Sequence, residues 1–317
     1  MLRVAWKRLH TERQVNRVFS TLSFEEVVAT SANAIERVQL PVCYILHGLL
    51  GQARNWRSFA KRLADRVVLE GGPPWRFILV DLRHHGWSAS TYAAPPPSTL
   101  NAAAADLERL ARATGPPRIV IGHSLGGKVA LAYGAAHNSG QPLRVWALDS
   151  SPGVVVGDPH GVESILEAIA ALPPVLSSRT EAAEMLKGRV PGSIAAWLTS
   201  SLIPVASWGR HDAPPSSSGP MRFMFDLRRA RAIFEDYKST CSWHIFESPP
   251  AGVDIHMIRG SASKSWEMHS SRTRLERLTP SQAKRMHVIH GAGHWLHQTH
   301  PEEVMSALLP SLIHPPV

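Results

Sequence analysis

The sequence has very little cysteine and no long apolar run. Only Cys43 and Cys241 occur among 317 residues, and they lie far apart in the chain. A small scaffold held together by several disulfides is therefore excluded, and we expect both thiols to be reduced. No stretch approaches the roughly 18 to 20 consecutive apolar residues that a transmembrane helix requires. We therefore expect a soluble chain, and its apolar content of 44% is typical of a globular protein.

Acidic residues are scarce relative to basic ones, which gives a formal net charge of +9. The basic residues are scattered and accompany no recognised nucleic-acid-binding motif, so we expect no nucleic-acid partner. Part of the excess lies in residues 1–19, which contain a single acid, Glu12, and the basic residues Arg3, Lys7, Arg8, Arg13 and Arg17. This segment is compatible with an organelle-targeting peptide and equally with a flexible basic terminus.

Residues 117–136 are the part of the sequence that indicates a reaction. The short apolar run 118–121 predicts a strand covered on both faces, and residues 127–136 predict a helix. Between them stands Gly122-His123-Ser124-Leu125-Gly126. A serine on a sharp strand-to-helix turn needs tiny residues two positions before and after it, because strand and helix must pass closely there. The spacing therefore predicts a nucleophile elbow with Ser124 at its tip.

Further short apolar runs alternate with helical patterns along the chain. They predict strands at 42–46, 77–80, 145–148, 253–258 and 286–289, a weaker edge strand within 15–28, and a closing helix from Pro301 to about Pro310. Strands that alternate with helices are typical of a mostly parallel central sheet with helices on both faces. We therefore predict an α/β fold.

Two backbone amides are candidates for stabilising an oxyanion. The strand 42–46 ends in His47-Gly48-Leu49, a glycine-bearing turn that lets the N–H of Leu49 point into a site. The helix that begins near Leu125 directs its own free N–H groups toward the Ser124 oxygen. Leu49 and Leu125 are therefore the predicted oxyanion donors.

His294 is the candidate general base for Ser124. Serine is a weak nucleophile until a neighbouring base takes its proton. His294 lies in a glycine-flanked loop after the last predicted strand, and a parallel sheet places that loop on the same edge as Ser124. His297 and His300 follow at intervals of three residues, but no acidic partner supports a three-histidine metal site. We therefore predict neither a metal nor a cofactor.

The carboxylate that would orient this histidine has two candidates. Asp149 directly follows the strand 145–148 and lies on the same edge as Ser124, whereas Asp226 lies in a later helical region. The loop 260–264, where many such folds carry the acid, has no carboxylate. We choose Asp149 and keep Asp226 as the alternative acid.

The alternation of strands and helices stops between residues 157 and 250. This stretch contains helical patterns, one of them over 223–237, that are interrupted by Pro173-Pro174 and by the segment 214–220. We expect a helical cap at 157–250, inserted into an α/β core formed by residues 20–156 and 251–317.

Four motifs together resemble the α/β-hydrolase superfamily. They are His47-Gly48, Asp81-Leu82-Arg83-x-His85-Gly86-x-Ser88, Gly122-His123-Ser124-Leu125-Gly126-Gly127-Lys128 and Gly291-Ala292-Gly293-His294-Trp295. The chain is similar over about residues 20–313 to the small esterase branch that includes mitochondrial abhydrolase-domain protein eleven and its plant and algal relatives. The plant relatives suggest a chloroplast or mitochondrial location; otherwise the expected location is the cytoplasm.

The resemblance implies a serine hydrolase that cleaves a small-molecule carboxylic ester or thioester. Ser124 would be the nucleophile, His294 the general base and acid, and Asp149 the orienting carboxylate. Relatives differ over whether the residue matching Asp149 or the one matching Asp226 completes the triad, and some carry a serine at the position of Ser263. A small-molecule receptor and a carbon–carbon bond hydrolase on the same scaffold remain alternatives.

Overall fold

A seven-stranded sheet forms the centre of the molecule. The computed structural model describes residues 21–29, 39–138, 140–210, 219–267 and 269–316, so the basic segment 1–19 lies outside the described residues. The strands of the chain are β1 Phe24–Val28, β2 Val42–Leu46, β3 Arg76–Val80, β4 Pro117–His123, β5 Leu143–Leu148, β6 Leu202–Pro204, β7 Met221–Phe223, β8 Val253–Gly260 and β9 Met286–Ile289. The order in the large sheet is β1-β3-β2-β4-β5-β8-β9.

All neighbouring strands of this sheet are parallel except β1, which pairs antiparallel with β3 at the edge. The carboxyl ends of the parallel strands therefore meet along one edge. β4 lies near the middle, between β2 and β5. The loops after these three strands are consequently neighbours in space although they are distant in sequence.

The helices complete a layered α/β fold, as predicted. They are α1 Arg57–Leu69, α2 Ser88–Thr91, α3 Leu100–Thr114, α4 Leu125–Ala135, α5 Val162–Ala170, α6 Arg179–Leu186, α7 Gly192–Ser200, α8 Leu227–Ser239, α9 Trp243–Glu247, α10 His269–Glu276, α11 Pro280–Ala283, α12 Leu296–Thr299 and α13 Pro301–Ile313. Short 3₁₀ turns occupy Ala53–Trp56, Val205–Ser207 and Lys264–Trp266.

Each face of the sheet has its own hydrophobic core. Strand β2 shows why: Tyr44 packs into the core that contains α3, α4 and α8, whereas Cys43 and Ile45 pack into the core that contains α1 and α13. Successive side chains of a strand point to opposite faces, so an uninterrupted apolar run is needed when both faces are covered. Segment 157–250 contributes its buried residues mainly to the core on the α4 side.

Three local predictions were wrong in an instructive way. The pattern over 223–237 is not one helix, because Phe223 ends β7 and Asp226 caps the start of α8 by accepting the N–H of Arg229 at 3.1 Å. The final helix does not end near Pro310 but continues to Ile313, where buried Leu312 packs.

The third error concerns the start of α3, for which Ser98, directly after the proline cluster at 95–97, is the N-cap that the sequence predicts. Thr99, not the neighbouring Ser98, caps this helix by accepting the N–H of Ala102 at 3.2 Å. The Ser98 hydroxyl instead lies 2.9 Å from Nε2 of His84. Tertiary contacts determine where α8 and α3 begin and where α13 ends.

The two cysteines do not form a disulfide. Cys43 is buried, Cys241 is exposed, and both are free. Within the described ranges, no helix combines the length and the apolarity needed to cross a membrane.

Candidate active site

Ser124 lies on a strained turn between β4 and α4. Its φ is 54° and its ψ is −118°, a conformation that non-glycine residues rarely adopt. A Cβ atom on Gly122 would lie 2.1 Å from the carbonyl oxygen of Gly126, and one on Gly126 would lie 2.6 Å from that of His47. β4 and α4 therefore pass so closely that only glycine fits at 122, and α4 lies so close to the end of β2 that only glycine fits at 126.

The turn after β2 lies directly against Ser124. A Cβ atom on Gly48 would lie 3.3 Å from the Cβ of Ser124, so the turn that leads to Leu49 lies against the serine. Leu125 is the first residue of α4, where no carbonyl of the helix can accept its N–H. Leu49 and Leu125 remain the predicted oxyanion donors.

His47 fixes the shape of this turn. Its Nδ1–H donates to the carbonyl of Gly48 at 2.7 Å, and its Nε2 accepts the N–H of Leu82 at 3.0 Å. Burial, with a smaller contribution from His85, lowers the pKa of His47 to about 3. The ring is therefore neutral at neutral pH, as its role as both donor and acceptor requires.

The structure brings His294 and Asp149 together. Nδ1 of His294 donates to Oδ2 of Asp149 at 2.7 Å. Nε2 lies on the opposite side of the imidazole and is free of this bond. The carbonyl of His294 accepts from Nε2 of His123 at 2.8 Å, and the two rings have centroids 4.7 Å apart. Because His123 directly precedes Ser124, His294 lies beside the nucleophile turn.

Asp149 is held as a carboxylate in a fully buried position. Oδ1 accepts from the N–H of Gly260 at 3.1 Å and from Nε1 of Trp266 at 2.9 Å, while Oδ2 accepts from the hydroxyl of Ser263 at 2.5 Å. Burial alone would raise the pKa of Asp149, but the bonds and charge of His294, with Ser263 and Gly260, lower it below the ordinary value. The carboxylate can therefore fix the tautomer of His294.

A second histidine covers His294. The ring of His160, from the loop before α5, stacks on that of His294 with centroids 4.2 Å apart and an angle of 19° between the planes. Its Nε2 forms a hydrogen bond with the hydroxyl of Ser265. Burial, followed by repulsion from His294, lowers the pKa of His160 to about 4. A neutral aromatic ring therefore restrains the imidazole from one side.

Three potential metal ligands lie close together at this site. One ligand atom from each of Asp149, His160 and His294 lies within 4.8 Å of the other two, a spacing that also occurs in metal sites. The lone pairs of an imidazole lie in the plane of its ring, and the rings of His160 and His294 are stacked, so their nitrogens do not converge on one point. Oδ2 of Asp149 already accepts two hydrogen bonds. These contacts fit a hydrogen-bonded relay better than a metal centre.

The other sequence candidates lie elsewhere. Asp226 caps α8 and pairs with Arg229 at 3.6 Å, rather than with His294. His297 is buried and stacks on Trp56 with centroids 4.2 Å apart, and His300 precedes the closing helix. The three histidines 294, 297 and 300 therefore do not form one cluster.

Two residues of this site were not singled out from the sequence: His160 and Trp266. Among 17 histidines, His160 carries no local signal. Only the tertiary packing places His160 on the ring of His294 and the indole N–H of Trp266 on Asp149.

The strand order, the strained serine turn and the histidine–aspartate pair define a hydrolase of the α/β class. Residues 44–307 match the model of the alpha/beta hydrolase family, and the chain belongs to that family.

Among curated proteins, it is similar to two sn-1-specific diacylglycerol lipases named ABHD11. The mouse protein is 26% identical over 85% of this chain and 80% of its own length. The Xenopus tropicalis protein is 23% identical over 84% of this chain and 76% of its own length.

Solved structures share the fold. A marine microorganism esterase superposes with a TM-score of 0.65 at 21% identity and covers 92% of this chain and 99% of its own. An esterase from Exiguobacterium antarcticum gives a TM-score of 0.58 at 13% identity, with coverage of 93% and 99%.

Proposed function

We propose that the protein is a serine hydrolase that cleaves small-molecule carboxylic esters or thioesters. The observation that carries this proposal is the placement of His294, bonded to buried Asp149, beside the strained turn that presents Ser124. Membership of a hydrolase family with lipase and esterase relatives supports the same class of reaction.

Acylation begins with Ser124. Its Oγ attacks the acyl carbonyl while its proton passes to Nε2 of His294, and Asp149 stabilises the imidazolium that results. The N–H groups of Leu49 and Leu125 donate to the oxyanion of the tetrahedral intermediate. When the intermediate collapses, His294 protonates the departing alcohol or thiol and Ser124 retains the acyl group.

Deacylation repeats these roles with water. His294 takes a proton from a water molecule that attacks the acyl-enzyme, the same two amides stabilise the second oxyanion, and the proton returns to Oγ of Ser124. No step needs a metal or a cofactor, since the charges are carried by His294, Asp149 and the backbone amides.

Segment 157–250 acts in this proposal as a cap over the site. Two contacts join it to the core loop after β3: Phe225 forms a bridge with His85, and the N–H of Asp226 donates to the carbonyl of His84 at 2.9 Å. A cap in this position would exclude water and shape the acyl pocket.

The test is a panel of p-nitrophenyl esters from acetate to palmitate, together with matched acyl thioesters. We expect wild type to turn over at least one member and Ser124→Ala to lose about 10⁴- to 10⁶-fold in kcat. Ser306→Ala, which removes an exposed hydroxyl of α13, is the matched control and should behave as wild type. A wild type that binds these compounds without cleaving them would favour a receptor and contradict the proposal.

A further inference from the structure

His123 is a buried histidine that the proposed reaction does not use. It is the last residue of β4, directly before Ser124, and it is 4% exposed. Its ring packs against those of His294 and His297, with centroids 4.7 and 4.5 Å apart. An apolar side chain of similar size would fill this space without the cost of removing two ring nitrogens from water. The polar ring therefore calls for an explanation from its hydrogen bonds.

The position of the ring proton follows from burial and from one contact. Burial, followed by repulsion from His294, lowers the pKa of His123 to about 3, so the ring is neutral and carries a single proton. Nε2 lies 2.8 Å from the backbone carbonyl oxygen of His294, which can only accept a hydrogen bond. The proton is therefore on Nε2, and Nδ1 is left with a bare lone pair.

The other edge of the ring faces the turn after β2. A Cβ atom on Gly48 would lie 3.1 Å from Nδ1 of His123, so the ring and this turn are within contact distance of each other. Gly48 directly precedes Leu49, one of the predicted oxyanion donors. His123 thus lies beside the oxyanion turn, is bonded to the main chain of His294 and is covalently joined to Ser124.

We propose that His123 is a positioning residue, a neutral imidazole whose Nε2–H holds the main chain of His294 at a fixed distance from the turn that carries Ser124. It acts through His294 and takes no proton during the reaction. This inference rests on the proposed function, because it assigns a role in the same reaction.

The strand order explains why such a bond is needed. Ser124 follows β4 and His294 lies in the loop after β9, and β5 and β8 separate these two strands in the sheet. Strand pairing alone therefore does not set the distance between the two side chains. Asp149 holds the imidazole of His294 through Nδ1, whereas His123 holds its main chain. With both restrained, Nε2 of His294 has one defined position.

The test compares His123→Met and His123→Gln in the rate of labelling by a fluorophosphonate probe. Methionine fills the space but has no donor, whereas the glutamine amide nitrogen lies about as far from the main chain as Nε2 does and can donate to the same carbonyl. A misplaced catalytic group costs up to about 100-fold in rate, so we expect labelling to slow about 10- to 100-fold in His123→Met. His123→Gln should recover most of this loss.

Ester turnover gives a second readout. After the active sites have been counted by titration, kcat of His123→Met should fall by the same factor as labelling, with little change in KM. A residue that only stabilised the fold would lower the number of active sites and leave the rate of each one unchanged.

His297→Met is the matched control. It removes another buried ring of the same packed group, one whose Nδ1 has no hydrogen-bond partner among the described residues. We expect its labelling rate per active site to equal that of wild type. An equal loss in His297→Met and His123→Met would contradict the proposal, because packing of the group would then explain both. Equal losses in His123→Met and His123→Gln would contradict it as well.

The two proposals fail in different ways. If wild type labels and His123→Met labels at the same rate, the role of His123 is refuted while the proposed function stands. If wild type itself does not label, the proposed function fails first.

The tautomer of His123 can also be measured in wild type by NMR of the ring nitrogens, with the resonance assigned from its absence in His123→Gln. We expect a proton on Nε2 and none on Nδ1, and we expect the ring to stay neutral well below the ordinary pKa of 6.5. A proton on Nδ1 would overturn the proposal, even if neither variant folded.

Discussion

The α/β core and segment 157–250 contribute to the candidate site in different ways. The core supplies Ser124, Asp149 and His294 from loops at the carboxyl ends of β4, β5 and β9. The segment supplies His160, whose ring stacks on that of His294 from the loop before α5. Strand order is enough to bring Ser124, Asp149 and His294 together, whereas the position of His160 depends on how the segment packs. The core therefore carries the groups that would react, and the segment carries a residue that restrains one of them.

The largest effect should come from the core acid. Asp149→Asn keeps the shape of the side chain but removes the charge that holds the tautomer of His294, so kcat should fall about 10⁴-fold in ester hydrolysis. Asp226→Asn, the matched variant in the segment, should stay within about twofold of wild type in kcat. The free energy of unfolding of this variant, measured in urea, should fall by at most about 1 kcal/mol, because residue 226 caps α8. If Asp226→Asn lost activity and Asp149→Asn did not, the orienting acid would be Asp226 in the segment rather than Asp149 in the core.

An intermediate effect should follow from removing the ring that covers His294. His160→Ala leaves the imidazole unrestrained on one face, and an aromatic pair is worth about 0.5 to 1.5 kcal/mol, so kcat should fall roughly two- to tenfold. His160→Phe retains a stacking ring and should recover most of that loss in the same assay. If both variants equal wild type, the segment does not restrain the base through this residue.

The last effect is on stability in acid rather than on catalysis, and it contrasts buried with exposed histidines. Burial lowers the pKa of His47 and His123 to about 3 and that of His84, His85 and His160 to about 4, against an ordinary value of 6.5. The unfolded chain therefore binds more protons than the folded one between about pH 6.5 and pH 3. Stability contributed by these neutral rings is present above pH 6.5 and is lost as the pH falls.

We expect urea unfolding free energies to decrease by an amount on the order of several kcal/mol between pH 6.5 and pH 4. His84→Gln should reduce this slope, whereas His314→Gln, at an exposed position, should leave it unchanged. An unfolding free energy that stays constant over this range would mean that these histidines take up protons equally in the folded and the unfolded chain.

The contrast between the α/β core and segment 157–250 also explains how much could be predicted from the sequence. β2 begins and ends at the predicted residues, because an apolar strand covered on both faces leaves a continuous signal. The edge strand β9 also has its predicted bounds, although only Ile289 of it is buried. Ser124 and Gly122 were identified because the close approach of β4 and α4 tolerates almost no alternative residues. Local sequence therefore specified the nucleophile turn.

Segment 157–250 was predicted less well. The small ribbon of β6 and β7 was missed, since each strand has only three residues, too few to show an alternating pattern. Tyr237 reads as one apolar position of an amphipathic helix. Its backbone carbonyl accepts from the Lys128 ammonium, as do those of Gly153 and Thr240, and no local pattern encodes these contacts.

The most direct test of the account is to locate the adduct formed by a fluorophosphonate probe. Tryptic digestion after Arg118 and Lys128 releases the peptide 119–128, which contains Ser124 as its only serine. We predict that the probe mass appears on this peptide in wild type and is absent from Ser124→Ala. An adduct on another peptide, or equal labelling of Ser124→Ala, would contradict the assignment of Ser124 as the nucleophile.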